Sequence, residues 1–128
     1  MNTLPENLLY TSSHEWVKKQ NDNTFIVGIT SHAQDLLGDI VFVDLPSDET
    51  AVTQGDETAV VESVKTAADI YAPLSGTIID TNSDLDNSPE LINTDPYDKG
   101  WIYRISINDA TQLSKLLTAQ DYLSSLED

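Results

Sequence analysis

Apolar residues in this chain gather in six short runs, at 24–29, 40–45, 58–64, 69–72, 76–80 and 101–107, each alternating or wholly apolar and each bounded by turn residues. Runs of this length, rich in Val, Ile, Tyr and Thr, predict β-strands. Strands so spaced predict a small all-β sandwich or barrel. Two stretches carry helix signals instead. Ser31, with Gln34 three residues on and Leu36-Leu37-Gly38 after it, has the chemistry of a capping box and a glycine stop. Over residues 109–127, Leu113, Leu116, Leu117, Leu123 and Leu126 form an apolar stripe, and Asp109 with Gln112 suits an N-terminal cap, so a C-terminal helix is expected there. Residues 80–89 and 93–100, rich in Asp, Asn and Ser, predict exposed loops.

Between two of the predicted strands lies Glu62-Ser63-Val64-Lys65-Thr66-Ala67-Ala68. Small residues between apolar runs predict a tight, exposed turn that presents the Lys65 amine to solvent. Taken alone, Lys65 reads as an ordinary solvated turn lysine. On either side of it, Gly38-Asp39-Ile40-Val41 and Gly76-Thr77-Ile78-Ile79 share a Gly-x-Ile-aliphatic pattern that hints at two similar half-folds.

The 128 residues have room for one domain with a modest core, and no linker divides them. With 22 acidic and 6 basic residues the formal net charge is −16, which argues against binding nucleic acid or an anionic membrane surface. Brief, salt-sensitive encounters with basic patches on partner proteins suit such a charge. No apolar run approaches the roughly 20 residues of a membrane helix, and Met1 to Glu6 has neither an apolar signal core nor an Arg-rich transit character, so a cytoplasmic protein is expected. A monomer is expected too, since no large exposed apolar surface is inferred. There is no cysteine, which excludes a disulfide framework, a thiolate metal site and a cysteine nucleophile. His14 and His32 lack the spacing of a zinc site and read as turn or cap residues, while Trp16 and Trp101 read as core aromatics. Neither a glycine-rich nucleotide fingerprint nor a Gly-x-Ser-x-Gly elbow is present. A carrier or interaction module fits these observations better than an enzyme.

The stretch from Glu62 to Gly76 closely resembles the lipoyl-attachment hairpin of glycine cleavage system H proteins. Tyr10-Thr11-Ser12-Ser13-His14-Glu15-Trp16-Val17 is similar to that family's opening strand, and Gly28 to Val41, Pro89 to Tyr97 and Gly100-Trp101-Ile102 match in the same order. The resemblance implies one lipoyl-carrier domain over residues 1–128. Its fold would be a barrel-sandwich hybrid of two small antiparallel sheets, with a core at about 22–106 and a C-terminal α-helix at about 109–127. It implies lipoic acid joined covalently to Lys65, with Glu62 read by the lipoate-attaching enzyme. Ser13, Glu15 and Asp69 would hold the loaded arm in a cleft that excludes water, a carboxylate favouring the ammonium form of its cargo. The partners implied are a pyridoxal-phosphate-dependent glycine decarboxylase, a folate-dependent aminomethyltransferase and a flavin-dependent dihydrolipoyl dehydrogenase.

Two rivals share the architecture. A biotin carrier would flank its lysine with methionines, whereas Val64 and Thr66 flank Lys65 and Met1 is the sole methionine. Lipoyl domains of 2-oxo acid dehydrogenases usually carry Asp-Lys-Ala and lack the Ser-His-Glu-Trp block. An H-like protein that relays lipoyl groups to other enzymes, or an unmodified interaction module, would use the same hairpin. The chain departs from the family pattern at Glu49, where relatives usually carry glycine, and at Leu36, where some carry a polar residue near the cleft.

Overall fold

The computed structural model describes residues 5–21 and 23–126. Among the described residues nine strands form two antiparallel sheets: β1 (Leu9–Tyr10), β2 (Glu15–Lys19), β3 (Thr24–Ile29), β4 (Ile40–Asp44), β5 (Thr50–Val52), β6 (Glu57–Ser63), β7 (Ala67–Tyr71), β8 (Gly76–Thr81) and β9 (Tyr103–Ile107). The larger sheet runs β1-β2-β3-β9-β8-β5 and the smaller β4-β6-β7. Four helices, α1 (Ser31–Leu37), α2 (Asp84–Asn87), α3 (Leu91–Thr94) and α4 (Ala119–Leu126), lie in the connections and at the end of the chain.

The period-two pattern sets the core. Phe25, Val27 and Ile29 of β3 lie on one face with Tyr103, Ile105 and Ile107 of β9, in a register that pairs Phe25 with Ile105 and Val27 with Tyr103. Ile40, Val43, Ala59, Val61 and Ile70 of the smaller sheet close over them. Each fully buried aliphatic side chain contributes roughly 1.5–3 kcal/mol. A second, smaller cluster of Leu8, Tyr10, Trp16, Ala119 and Tyr122 seats α4 against β1 and β2. Trp16 belongs to this second core, while Trp101 is half-buried beside it.

Several elements differ from expectation. The continuous helix expected over 109–127 is two pieces, a 3-10 turn at Ala110–Lys115 and then α4; residues 127 and 128 lie outside the described residues. Between the pieces Leu117 is extended and exchanges both backbone hydrogen bonds with Tyr10, at 2.8 and 2.7 Å. Pairing with an edge strand outweighs propagation of the helix here, and Thr118 restarts it by accepting from the Asp121 N–H. Asp109 caps the 3-10 turn as expected, but Gln112 instead bonds Ser75. The cap of α1 is Thr30, not Ser31, with its hydroxyl accepting from the Ala33 N–H at 3.2 Å. The expected loop at 80–89 contains α2, and α3 runs into the start of the expected loop at 93–100; each helix is anchored by one fully buried residue, Leu85 or Ile92. In the turn after Leu45-Pro46, Glu49 adopts φ 66°, the left-handed conformation that glycine takes without strain.

Candidate functional site

The β6–β7 hairpin projects Lys65. Its strands pair Val60 with Asp69, Val61 with Ala68 and Glu62 with Ala67, leaving residues 64–66 as the tip. Ser63 holds that tip together: its hydroxyl accepts from the N–H groups of Lys65 (3.2 Å) and Thr66 (3.1 Å) and donates to the Thr66 carbonyl (3.1 Å). A further bond, Val64 N–H to Asp39 O at 3.0 Å, ties the tip to the start of β4. Lys65 is exposed, and among the described residues its Nζ makes no hydrogen bond or ion pair. The side chain lies along Gly38, where an added Cβ would sit 3.3 Å from Lys65 Cε.

A cavity of about 270 Å³ opens at the other end of the hairpin, bordered by Tyr10, Ser13, Glu15, Tyr71, Pro73 and Lys115 among others. Glu15 is its charged wall, only 1% exposed. One carboxylate oxygen accepts from Thr11 Oγ1 (2.5 Å) and Ser13 Oγ (2.6 Å), and the other from the Tyr71 N–H (3.2 Å). Three hydrogen bonds to the carboxyl oxygens offset much of the cost of burying the group. No cation lies within ion-pair distance of Glu15 among the described residues. The cavity is thus bordered by one buried carboxyl group, Glu15, and at its rim by one exposed lysine, Lys115.

The turn that aims Ser13 and Glu15 is itself strained and braced. His14, between them, has φ 76°, and Nδ1 of its ring lies 2.7 Å from the Tyr122 hydroxyl of α4. That hydroxyl also lies 2.8 Å from Thr30 Oγ1, and the His32 ring is 4.9 Å from that of His14. Burial, with His32 nearby, lowers the His14 pKa below its ordinary value. Burial pushes the Tyr122 hydroxyl up to about 12, so it stays protonated and available for these bonds.

Of the residues singled out from sequence, Ser13 and Glu15 meet at the cavity, whereas Lys65, Glu62 and Asp69 are exposed on the hairpin outside the cavity lining. Asp69 shares the outward face of β7 with Tyr71, which does border the cavity. Leu36 is 59% exposed and borders no part of this cavity. Ser63, Thr11 and Tyr122 were not singled out. A serine two residues before the presented lysine is a recognisable turn-bonding signal, but nothing in the sequence joins Tyr122 to His14 across the sheet.

Two antiparallel sheets carrying one unpaired lysine on a hairpin tip define a lipoyl-domain-like barrel-sandwich, the architecture of a swinging-arm carrier. The glycine cleavage H-protein family model matches residues 8–128. Glycine cleavage system H proteins of Pectobacterium atrosepticum and Coxiella burnetii are each 54% identical to this chain, over 100% and 99% of it and 98% of each relative. The crystal structure of a glycine cleavage system H protein from Mycobacterium marinum superimposes with a TM-score of 0.86 at 37% identity, covering 98% of this chain and all of that one. This chain belongs to the glycine cleavage H-protein family. It is a carrier, not an enzyme.

Proposed function

We propose that this chain is the lipoylated shuttle of glycine cleavage. In that role it carries the aminomethyl group of glycine from the pyridoxal-phosphate-dependent decarboxylase to the folate-dependent aminomethyltransferase, and electrons to dihydrolipoyl dehydrogenase. The observation that carries the reading is Lys65, exposed at a hairpin tip with an unpaired amine. An amine so placed fits amide attachment of lipoic acid, which supplies a dithiolane whose ring strain makes its S–S bond easily opened.

The chain's own residues present and shelter. Ser63 fixes the turn, so Lys65 leaves the sheet in a defined direction. Glu62, exposed one pair below the tip, is available to the lipoate-attaching enzyme. Glu15, oriented by Thr11 and Ser13, would hold a cationic cargo by charge-assisted hydrogen bonding, and the cavity walls limit access of water. Asp69 would add a second carboxylate on the approach along β7. The absence of cysteine leaves no internal thiol to attack a dithiolane. Among the described residues no helix is long and apolar enough to cross a membrane; we place the protein in the cytoplasm as a monomer.

Intact-mass measurement after incubation with lipoate, ATP and a lipoate-attaching enzyme tests this. One lipoyl amide, mapped to Lys65 and abolished by Lys65→Arg, is expected. An unmodified protein, under conditions that modify a control carrier, would leave only an interaction module.

A further inference from the structure

Among the described residues the four most exposed large apolar side chains are Val64 (67%), Leu36 (59%), Val41 (54%) and Phe42 (50%). All four lie around the Lys65 tip. Val64 is in it, the Val64 N–H bonds Asp39 at the start of β4, and Phe42 pairs with Glu62 on the outer face of the smaller sheet. Leu36 closes the last turn of α1, two residues before the Gly38 on which the lysine chain rests. An irregularity of pairing between Ile40 and Phe42 breaks the alternation of β4, so that Val41 and Phe42 both face solvent where a regular strand would turn one of them inward. Leaving four such side chains in water forgoes burial that the fold could have used, and exposed apolar side chains gathered on adjoining segments mark an interaction site. Around it stand exposed carboxylates, Asp39, Asp44 and Glu62.

We propose that Leu36, Val41, Phe42 and Val64 form an apolar collar that docks the enzyme acylating Lys65, through a partner face that is apolar at its centre and ringed by Lys and Arg. The proposal rests on Lys65 being the lipoylated residue. Reach selects this partner over the others. In acylation the reacting atom is Nζ itself: the neutral amine attacks the carbonyl carbon of an acyl adenylate, the C–N bond forms, the C–O bond to AMP breaks and the nitrogen releases a proton. That active site must come within bonding distance of the tip and so must cover the collar. Enzymes that use the finished arm meet its far end and have no such need. The acidic ring predicts a salt-sensitive encounter, and the apolar centre predicts that truncation weakens docking.

Initial rates of acylation, followed by intact mass against carrier concentration with lipoate and ATP, test the proposal. For Phe42→Ser we expect kcat/KM to fall about tenfold or more, carried by KM, and for Val41→Ser/Phe42→Ser to fall further. Half-exposed Phe42 is not a core residue, and an unchanged thermal midpoint will verify folding. Ile79→Ser, at a 42% exposed apolar position on the other sheet, is expected to be acylated like the wild type. Variants brought to full modification by long incubation should be reduced and reoxidised by dihydrolipoyl dehydrogenase at the wild-type rate. Wild-type acylation kinetics in the double variant would overturn the collar, as would an equal loss in the dehydrogenase assay. Failure of the wild type itself to be acylated at Lys65 would instead overturn the carrier reading.

Discussion

Replacing Tyr122 by phenylalanine removes one oxygen atom from the brace behind Ser13 and Glu15. The ring remains, so the stacking on Tyr10 at 5.0 Å and the packing of α4 survive. Two hydrogen bonds go, one with His14 Nδ1 at 2.7 Å and one with Thr30 Oγ1 at 2.8 Å. Thr30 is fully buried and its hydroxyl keeps only the Ala33 N–H, while His14 is left half-buried beside a phenyl edge. A neutral hydrogen bond is worth about 0.5–1.5 kcal/mol, and stranding a buried polar partner raises the cost, so a loss of about 2–3 kcal/mol is expected. At this chain length that lowers the melting midpoint by roughly 8–12 °C. Urea unfolding by circular dichroism measures it, with Tyr10→Phe as comparison, whose hydroxyl among the described residues donates to the Pro5 carbonyl. Amide exchange in the Thr11 to Glu15 turn should also quicken, because the left-handed His14 loses its anchor. A change below about 0.5 kcal/mol, with exchange in that turn unaltered, would refute the idea that α4 braces the cavity wall.

Gly28→Ala places a Cβ 2.5 Å from Trp16 Cζ2 across the β2–β3 pair; denaturant unfolding should show a loss of about 2–3 kcal/mol, partly recovered by Trp16→Phe in the same chain. Glu49→Gly relieves φ 66° and should raise stability by about 0.5–1 kcal/mol after the extra entropy of an unfolded glycine, read as a higher melting midpoint. His14 has a folded pKa below its ordinary 6.5, so its proton binds the unfolded chain better. Its contribution is therefore fully present above pH 6.5, declines as the pH falls through that value and levels off below the folded pKa. A urea titration between pH 8 and 5 should show this decline, and His14→Gln should flatten it.

How far the site was readable from sequence varies with the range of the interaction. The Lys65 hairpin depends on neighbours in the chain, a period-two apolar pattern broken by small residues, so its two strands and exposed turn were legible, while the register came from the structure. Ser63 was within reach of the same reasoning, since its bonds span two and three residues. Glu15 and Ser13 came only from resemblance, because an acidic residue at the start of a strand has no local mark of burial. Its partner on the far side is the backbone N–H of Tyr71, 56 residues away. Leu36, apolar where some relatives carry a polar residue, is exposed and does not border the Glu15 cavity.

What the sequence determined by itself was the local material: strand-forming runs, a turn that presents one amine, and a net charge that argues against anionic partners. These follow from side-chain period, turn chemistry and composition, which act over a few residues or over the whole chain at once. Tertiary structure alone decided that the C-terminal helix breaks so that Leu117 can pair with Tyr10. It also decided that Tyr122 reaches His14 108 positions away, and that an irregular β4 turns both Val41 and Phe42 outward beside the lysine. Each of these is a competition between a local preference and a partner supplied by another part of the chain, and its outcome exists only once both sheets are assembled.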